Sequence, residues 1–576
     1  MHLLTIFLTF LLGLHYSNGR FVDPKHPTQR PLVPSYTKPA PTAAFEHEFQ
    51  LDSDGNFWLF WNVSGTNITF ETHVRTRGYV GFGLSPNGKM FPSDVVVGWV
   101  KDGTAVLNDC HTTGHFTPAV DTSQDWHLIN GFENDFGTVL TFSRKLDTCD
   151  DNDTMITDDT VKAIYSYHPD DPDSIQGMQW HGVKRRGAQS LMLLSSTKSD
   201  VNIPSNNVHI DLVSPHFSVP SVDTRYQCTI HKVPTLSKKH HMIRYEPVMQ
   251  KENIDYVHHI VITTCPEVTE ADVGTSFECY SRGTPRRFQT CSEVVVAWAV
   301  GGVAFNMPEH VGFAFGEADS PKYLRLEMHY NNPTMKSDIV DSSGIRLILT
   351  PDTRQFDAAG MSIGVDVDPN HFIPPYQKAF LSTGYCSPEC TEKGLPETGI
   401  KIFGLLQHAH LLGAGIKTRH VRNGTELSPI AEDDHYDFNY QDIRVLKEER
   451  EVKRGDSFIV ECTYDSSRRN KPTIGGLSTQ EEMCVSFLYY YPRTSMSLCL
   501  GLPVYDQISK DPSKAVAQFN GWNWRDDNVQ HMFQDLVNNS TYRLICNGPE
   551  RLKIHRHFSN VPKPDVPFQK PQRRCS

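Results

Sequence analysis

Beyond its first fourteen residues the 576-residue chain has no run approaching eighteen apolar residues, so no later segment is expected to cross a membrane as a helix. It also lacks a cationic excess: 55 Lys and Arg against 67 Asp and Glu give a net charge of −12. That balance argues against a nucleic-acid surface and against docking on anionic lipid. An acidic surface would suit a cationic amine, but bulk charge mainly reports solubility, and an ordinary soluble secreted protein has the same sign. No tandem repeat is visible, although two similar sandwiches need not resemble each other in sequence. What the chain has in quantity is 38 Gly and 37 Pro with only 21% charged residues, which fits a turn-rich β protein. Its length predicts two to four domains.

The N-terminus reads as a signal peptide over residues 1–19. Leu3 to Leu14 is apolar but too short for a span, and Ser17 and Gly19 offer small residues for cleavage. Only the amino terminus and His2 supply charge ahead of it. Sequons agree, at Asn62, Asn67, Asn152, Asn423 and the overlapping Asn538 and Asn539. The product is expected in the secretory pathway, secreted or held in a lumen. Thirteen cysteines in an oxidising compartment imply disulfides with one thiol left over. They stand singly rather than in a metal-binding cluster, and sequence spacing does not give their connectivity.

The predicted fold is mainly β. A Pro-rich linker (20–44) precedes an alternating block from 45 to 167 that includes Phe57-Trp58-Leu59-Phe60-Trp61 and Val95-Val96-Val97, punctuated by turns such as Ser53-Asp54-Gly55. Short strands at this spacing indicate a β-sandwich. The polar linker Pro169-Asp170-Asp171-Pro172-Asp173 follows, then β-rich blocks at 208–351 and 356–502 and a tail from 503 to 576 whose fold is not readable.

Four short segments carry soft and borderline metal ligands: Val257-His258-His259-Ile260, Glu327-Met328-His329-Tyr330, Gln407-His408-Ala409-His410 and Glu481-Glu482-Met483-Cys484. Imidazole suits zinc, copper, iron and nickel, whereas a thioether favours a soft ion such as Cu(I). Three histidines in one group, and two histidines with a methionine in the other, predict two copper sites of different character and redox chemistry with dioxygen. On a strand, residues two apart share a face, so His408 and His410 can address one metal from a regular strand. His258 and His259 would face opposite sides unless a bulge or strand end intervenes. Without one, a single histidine of the pair would be a ligand and the other core or surface. His240-His241 has the same local look but no third histidine in a matching position, and is read as structural or exposed.

These segments, in this order, resemble the copper type II, ascorbate-dependent monooxygenases, the family of dopamine β-hydroxylase and the peptide-amidating hydroxylase. Asp223-Thr224-Arg225-Tyr226-Gln227-Cys228, Ser343-Gly344-Ile345-Arg346-Leu347 and Cys462-Thr463-Tyr464 are similar as well. The block at 45–167 resembles the DOMON domain of the dopamine β-hydroxylase-like members. The resemblance implies a DOMON sandwich followed by two jelly-roll-like copper domains. His258, His259 and His329 would hold the electron-transfer copper, and His408, His410 and Met483 the copper that meets oxygen and substrate. Tyr226 and His408 match positions marked as active. Two coppers per chain, ascorbate as reductant, O2 and a small-molecule substrate are implied, and the oligomeric state is not. The family pattern would pair Cys228 with Cys279, Cys265 with Cys291, Cys386 with Cys499, Cys390 with Cys546, Cys462 with Cys484 and Cys149 with Cys575, leaving Cys110 free.

Two departures bear on the substrate. Phe487 stands where the family carries Tyr, and Ser362 where dopamine β-hydroxylase carries Glu. Loss of a carboxylate weakens recognition of a cation, so the resemblance implies hydroxylation of an activated C–H bond in a small aromatic or hydrophobic molecule rather than a catecholamine. Two alternatives remain at this point: a secreted binding or matrix protein with structural or vestigial metal sites, and a peptide-amidating hydroxylase. The DOMON-like block and the absence of a lyase-like block count against the second.

Overall fold

The computed structural model describes residues 38–195, 203–281, 283–547, 554–558, 561–573 and 575. The expected signal peptide and most of the Pro-rich linker lie outside the described residues. Three largely antiparallel β-sandwiches follow one another, and in each the alternation along a strand decides which side chains enter the core.

In the first sandwich, a sheet of His47–Gln50, Phe57–Ser64, Asn67–Val74, Thr138–Lys145 and His127–Glu133 faces one containing Val80–Ser85, Ser93–Lys101, Thr104–Thr112 and Val161–Tyr167. Leu59, Phe70, Phe82, Trp126 and Phe142 fill the space between them. Arg186–Leu191 pairs along Val161–Tyr167, so this sheet continues past the Asp-Pro linker. Its Arg-Gly-Ala-Gln-Ser-Leu sequence has none of the β-branched alternation that marks a strand.

The middle sandwich sets Val208–Val213, Gly344–Thr350, His240–Val248 and Val311–Phe315 against a sheet ordered Ser276–Glu278, Thr224–Lys232, Tyr323–Asn331, Val257–Thr264, Val294–Ala299. Ile260, Ile262, Leu326 and Met328 point into its core. The residues between them, among them His259, Val261, Glu327 and His329, therefore face away from the core. His240 and His241 are both buried here, and His241 bonds Asp357 (2.8 Å) and the Arg354 amide (2.9 Å), a structural role.

The third sandwich has one sheet with Arg444–Val452, Ile400–Ala409, Cys484–Tyr491, Ala359–Val365, Leu498–Val504 and Thr541–Asn547, and a facing sheet of Phe380–Cys386, Ser457–Tyr464 and Gly413–Arg422. Met361 and Ile363 are buried in its core, which leaves Gly360 and Ser362 on the opposite face. That face abuts the middle sandwich. A Cβ on Gly360 would stand 2.2 Å from the Val294 carbonyl oxygen, so only glycine permits this approach. Tyr489 crosses to accept the Ala297 amide at 2.7 Å, and Phe403, Leu406 and Tyr491 join the middle core. After residue 503 the chain forms helices Pro512–Asn520 and Asp527–Asn538, N-capped by Asp511 and Asp526. Phe519, Trp524 and Phe533 pack on Phe372, and Thr541–Asn547 then adds a strand beside Leu498–Val504.

Disulfides join Cys149 to Cys575, Cys228 to Cys279, Cys265 to Cys291, Cys386 to Cys499, Cys390 to Cys546 and Cys462 to Cys484. Cys110 is reduced and buried, its thiol pushed up to about 12 by desolvation. Of the sequon asparagines, Asn67, Asn152, Asn423 and Asn539 are exposed, and Asn62 is half-buried with its side chain bonded to the Ala44 carbonyl. The Asn538 side chain lies outside the described residues.

Candidate metal centre

The two faces that meet between the middle and third sandwiches carry the predicted ligands. Along the middle sheet, Tyr226, His329, His259 and Ala299 form one cross-strand row. His258 enters this group because the pairing register slips at it, with Val257 opposite Tyr330 and His259 opposite His329. This is the bulge that joint ligation by adjacent histidines requires. His258, His259 and His329 each offer a ring nitrogen, all within 4.8 Å of one another. The Nδ1 atoms converge: His329 and His259 are 3.1 Å apart, and His258 and His259 3.5 Å. Only an acceptor, the Phe438 carbonyl, lies 3.3 Å from His258 Nε2, so that nitrogen carries the proton and Nδ1 is bare. The His258 ring also stacks on Phe438 at 4.0 Å.

His408 and His410 show the opposite polarity. His408 Nδ1 donates to Gln441 Oε1 at 2.7 Å, and His410 Nδ1 to the Glu481 carbonyl at 3.1 Å. Each Nε2 is therefore an unprotonated lone pair, and both are buried with no hydrogen-bond partner among the described residues. A buried polar atom left in this state is costly unless something else binds it. Glu482 ties the segments together, accepting the amides of His410 (2.9 Å), Leu412 (2.6 Å) and Met483 (3.3 Å). Burial raises Glu482 to about 8, against the lowering effect of these amides. Met483 is further held by the Tyr464 hydroxyl, which donates to its carbonyl at 2.7 Å, and by the neighbouring Cys462–Cys484 bridge.

Burial pushes His258 down to about 3 and His408 to about 4, and holds His259, His329 and His410 well below the usual imidazole range. Neutral imidazole is the form that binds metal. The two sets adjoin, with ring centroids 5.2 Å apart for His259 and His408 and 6.3 Å for His329 and His410.

Residues 356–509 match the family described as copper type II ascorbate-dependent monooxygenase, C-terminal domain, residues 210–337 match its N-terminal domain, and residues 53–168 match the DOMON domain. DBH-like monooxygenase protein 1 of Mus musculus is 41% identical over 476 residues, covering 82% of this chain and 77% of its own. Dopamine beta-hydroxylase of Homo sapiens is 34% identical over 550 residues, covering 92% and 89%. MOXD1 homolog 1 of Drosophila melanogaster is 35% identical, covering 90% and 76%. The chain belongs to the copper type II ascorbate-dependent monooxygenases. Copper, ascorbate as reductant and O2 are the cofactors this family implies.

The residues present fit that family's metal. One set offers three converging Nδ1 atoms, that of His258 bare, while the other offers the bare Nε2 atoms of His408 and His410 beside the Met483 segment. Both sets open on a cavity of about 630 Å³ lined by Tyr226, His259, His408 and Met483. Tyr226 stacks on His329 at 4.3 Å, and its hydroxyl is buried without a partner among the described residues. Ser362 and Phe487 stand opposite each other on paired strands and both line the cavity. Gln441, Phe438 and Glu482 are not legible from sequence as partners of the ligands. Glu482, a carboxylate beside Met483, is the one with a local signal.

Proposed function

We propose that this chain is a monooxygenase using copper and ascorbate to hydroxylate an activated C–H bond of a small, neutral, aromatic or hydrophobic molecule in the secretory pathway. The observation that carries the reading is the two adjoining sets of neutral, buried imidazoles, of which His259 from one and His408 from the other line a single cavity together with Met483. His258, His259 and His329 would hold one copper through Nδ1, and His408, His410 and Met483 the other through Nε2 and the thioether. Bound copper supplies one-electron chemistry with O2, and ascorbate the electrons, for a net R–H + O2 + 2 e⁻ + 2 H⁺ → R–OH + H2O.

This chain's own side chains then set orientation and access. Gln441 and the Glu481 carbonyl fix the tautomers of His408 and His410, the part played by outer hydrogen bonds at metal sites. Leu406, Val485, Phe487, Leu498 and Leu500 give the cavity an apolar wall that excludes water from the reacting C–H bond. Both carboxylates on that wall have cations already: Glu327 pairs with Arg325 at 3.3 Å, and Asp366 with Arg543 at 3.0 Å. A substrate amine would find no unpaired anion among the described lining residues, which supports a neutral substrate.

Metal analysis with ascorbate-dependent oxygen uptake on the purified chain tests the reading. Two coppers per chain and uptake stimulated by small aromatic compounds are expected. Zinc in the three-histidine set alone, with no uptake, would replace it with a structural metal protein. Turnover confined to glycine-extended peptides would make it an amidating enzyme.

A further inference from the structure

The residues that orient His258 and His408 arrive on one segment, 431–441, which pairs through Ala431–Asp433 with Gly413–Arg422 and through Asp433 with Arg444 inside the third sandwich, and is also held from outside the copper domains. Its inner side carries Phe438, stacked on His258 and accepting from its Nε2, and Gln441, bonded to His408. Gln441 also donates to the Phe438 carbonyl at 2.8 Å, so the two contacts are one unit. The Tyr436 hydroxyl brackets Ala409, between His408 and His410, accepting from its amide (3.0 Å) and donating to its carbonyl (2.6 Å).

The outer side of the same segment is gripped by the DOMON module. Thr160 gives Asp433 two hydrogen bonds, from its amide at 3.0 Å and its hydroxyl at 2.6 Å. Lys162 and Ser190 converge on Asp437, each at 2.5 Å, one residue before Phe438. Asp159 accepts the Asp434 amide at 2.9 Å. The C-terminal tail adds Lys570, paired with Glu432 at 3.0 Å, and is itself tied to the DOMON module by Cys149–Cys575.

We infer that the DOMON module is a positioning element for the copper centre: Thr160, Lys162 and Ser190 hold segment 431–441 so that Phe438 and Gln441 keep His258 and His408 in their ligating tautomers and orientations. Thr160, Lys162 and Ser190 are positioning residues that act through Asp433 and Asp437. The inference rests on the copper reading above, but the coupling it describes is a property of the metal-free chain too. It accounts for a contact that catalysis by two copper domains does not need, since no DOMON side chain lines the cavity.

The full chain is compared with Thr160→Val/Lys162→Met, with Lys162→Arg, and with the control Asp211→Asn, which breaks an exposed ion pair with Arg346 distant from the segment. In metal-free protein, amide exchange is expected to accelerate about tenfold in peptides covering 433–441 and 405–410 of the double variant alone. In copper-loaded protein the same variant should bind the metal of the His408 site about tenfold more weakly, the lower end of losses from outer hydrogen bonds. Its Cu(II) paramagnetic spectrum should broaden, whereas Lys162→Arg, which keeps the charge, should leave both as in the parent chain. Faster exchange in 433–441 with unchanged exchange at 405–410 and an unchanged spectrum would overturn the inference. If the parent chain takes up no copper, the proposed function falls, and the exchange at 405–410 still decides the coupling.

Discussion

Ser362→Glu should convert the cavity into one that selects amines. Ser362 lies between Met361 and Ile363, whose side chains fill the third core, so a side chain at 362 enters the cavity as long as the strand keeps its register. Its cross-strand neighbours there are Phe487 and Leu498, both apolar. A glutamate carboxylate among them is poorly solvated. Arg325, the cation among the described lining residues, is already engaged with Glu327, so the new anion lacks an internal partner. A protonated amine supplies one. A charge-assisted hydrogen bond in such a place contributes about 1.5–3 kcal/mol, or about a 10- to 100-fold gain in kcat/KM if it is expressed in the transition state. The assay is ascorbate-coupled oxygen uptake on matched pairs, such as phenethylamine and ethylbenzene, across pH. In the parent chain dopamine and tyramine should be poor substrates. The variant's preference for the amine should rise with pH as the new carboxyl ionises. Parent turnover of dopamine far above its neutral analogue would refute the reasoning, as would a variant with an unchanged amine-to-neutral ratio.

Met483→Ile keeps the volume but removes the thioether, and should abolish turnover while the three-histidine set retains its copper by metal analysis; full activity would show that Met483 is not a ligand. Asp109→Asn should stabilise the DOMON module near neutral pH. Burial raises Asp109 to about 7 from an unfolded value of 3.8, so its contribution is fully present below 3.8 and is lost as pH rises through 7. Asparagine keeps an acceptor for the Asp125 and Trp126 amides, and should raise stability at pH 8 by about 1–3 kcal/mol while flattening the pH dependence of thermal unfolding. Alkylation of the unreduced, unfolded chain should label Cys110 alone; label on Cys462 or Cys484 would contradict the bridge beside Met483.

The mainly β architecture was legible because its strands alternate on a two-residue period, and the ligand segments because histidine pairs and a histidine-x-histidine step are local patterns. The adjacent pair His258-His259 even carried its own structural condition, a bulge, which the register slip meets. Gln441 and Phe438 were not legible. They sit in an irregular polar stretch, and their role comes from tertiary placement by contacts up to 275 residues away in sequence, such as Lys162 with Asp437. The region after 503 was opaque for another reason. Its helices are short, and their stability comes from packing Phe519 and Phe533 on Phe372 rather than from a long periodic face. Arg186–Leu191 is a strand by edge pairing with Val161–Tyr167, against its own propensity.

The bridge between Cys149 and Cys575 spans 426 residues, and this has a consequence for biosynthesis. It cannot close before Cys575 has left the ribosome, long after the first sandwich has had time to fold. The thiol of Cys149 must wait, exposed, through the synthesis and docking of both later sandwiches. Closure thus reports that the first sandwich has met the tail lying on the third, and an oxidising compartment has in the waiting thiol a means to retain chains in which it has not. Once closed, the bridge also changes what a protease can do: a cut in the polar linker after Tyr167 would leave the first sandwich covalently attached through the far end of the chain.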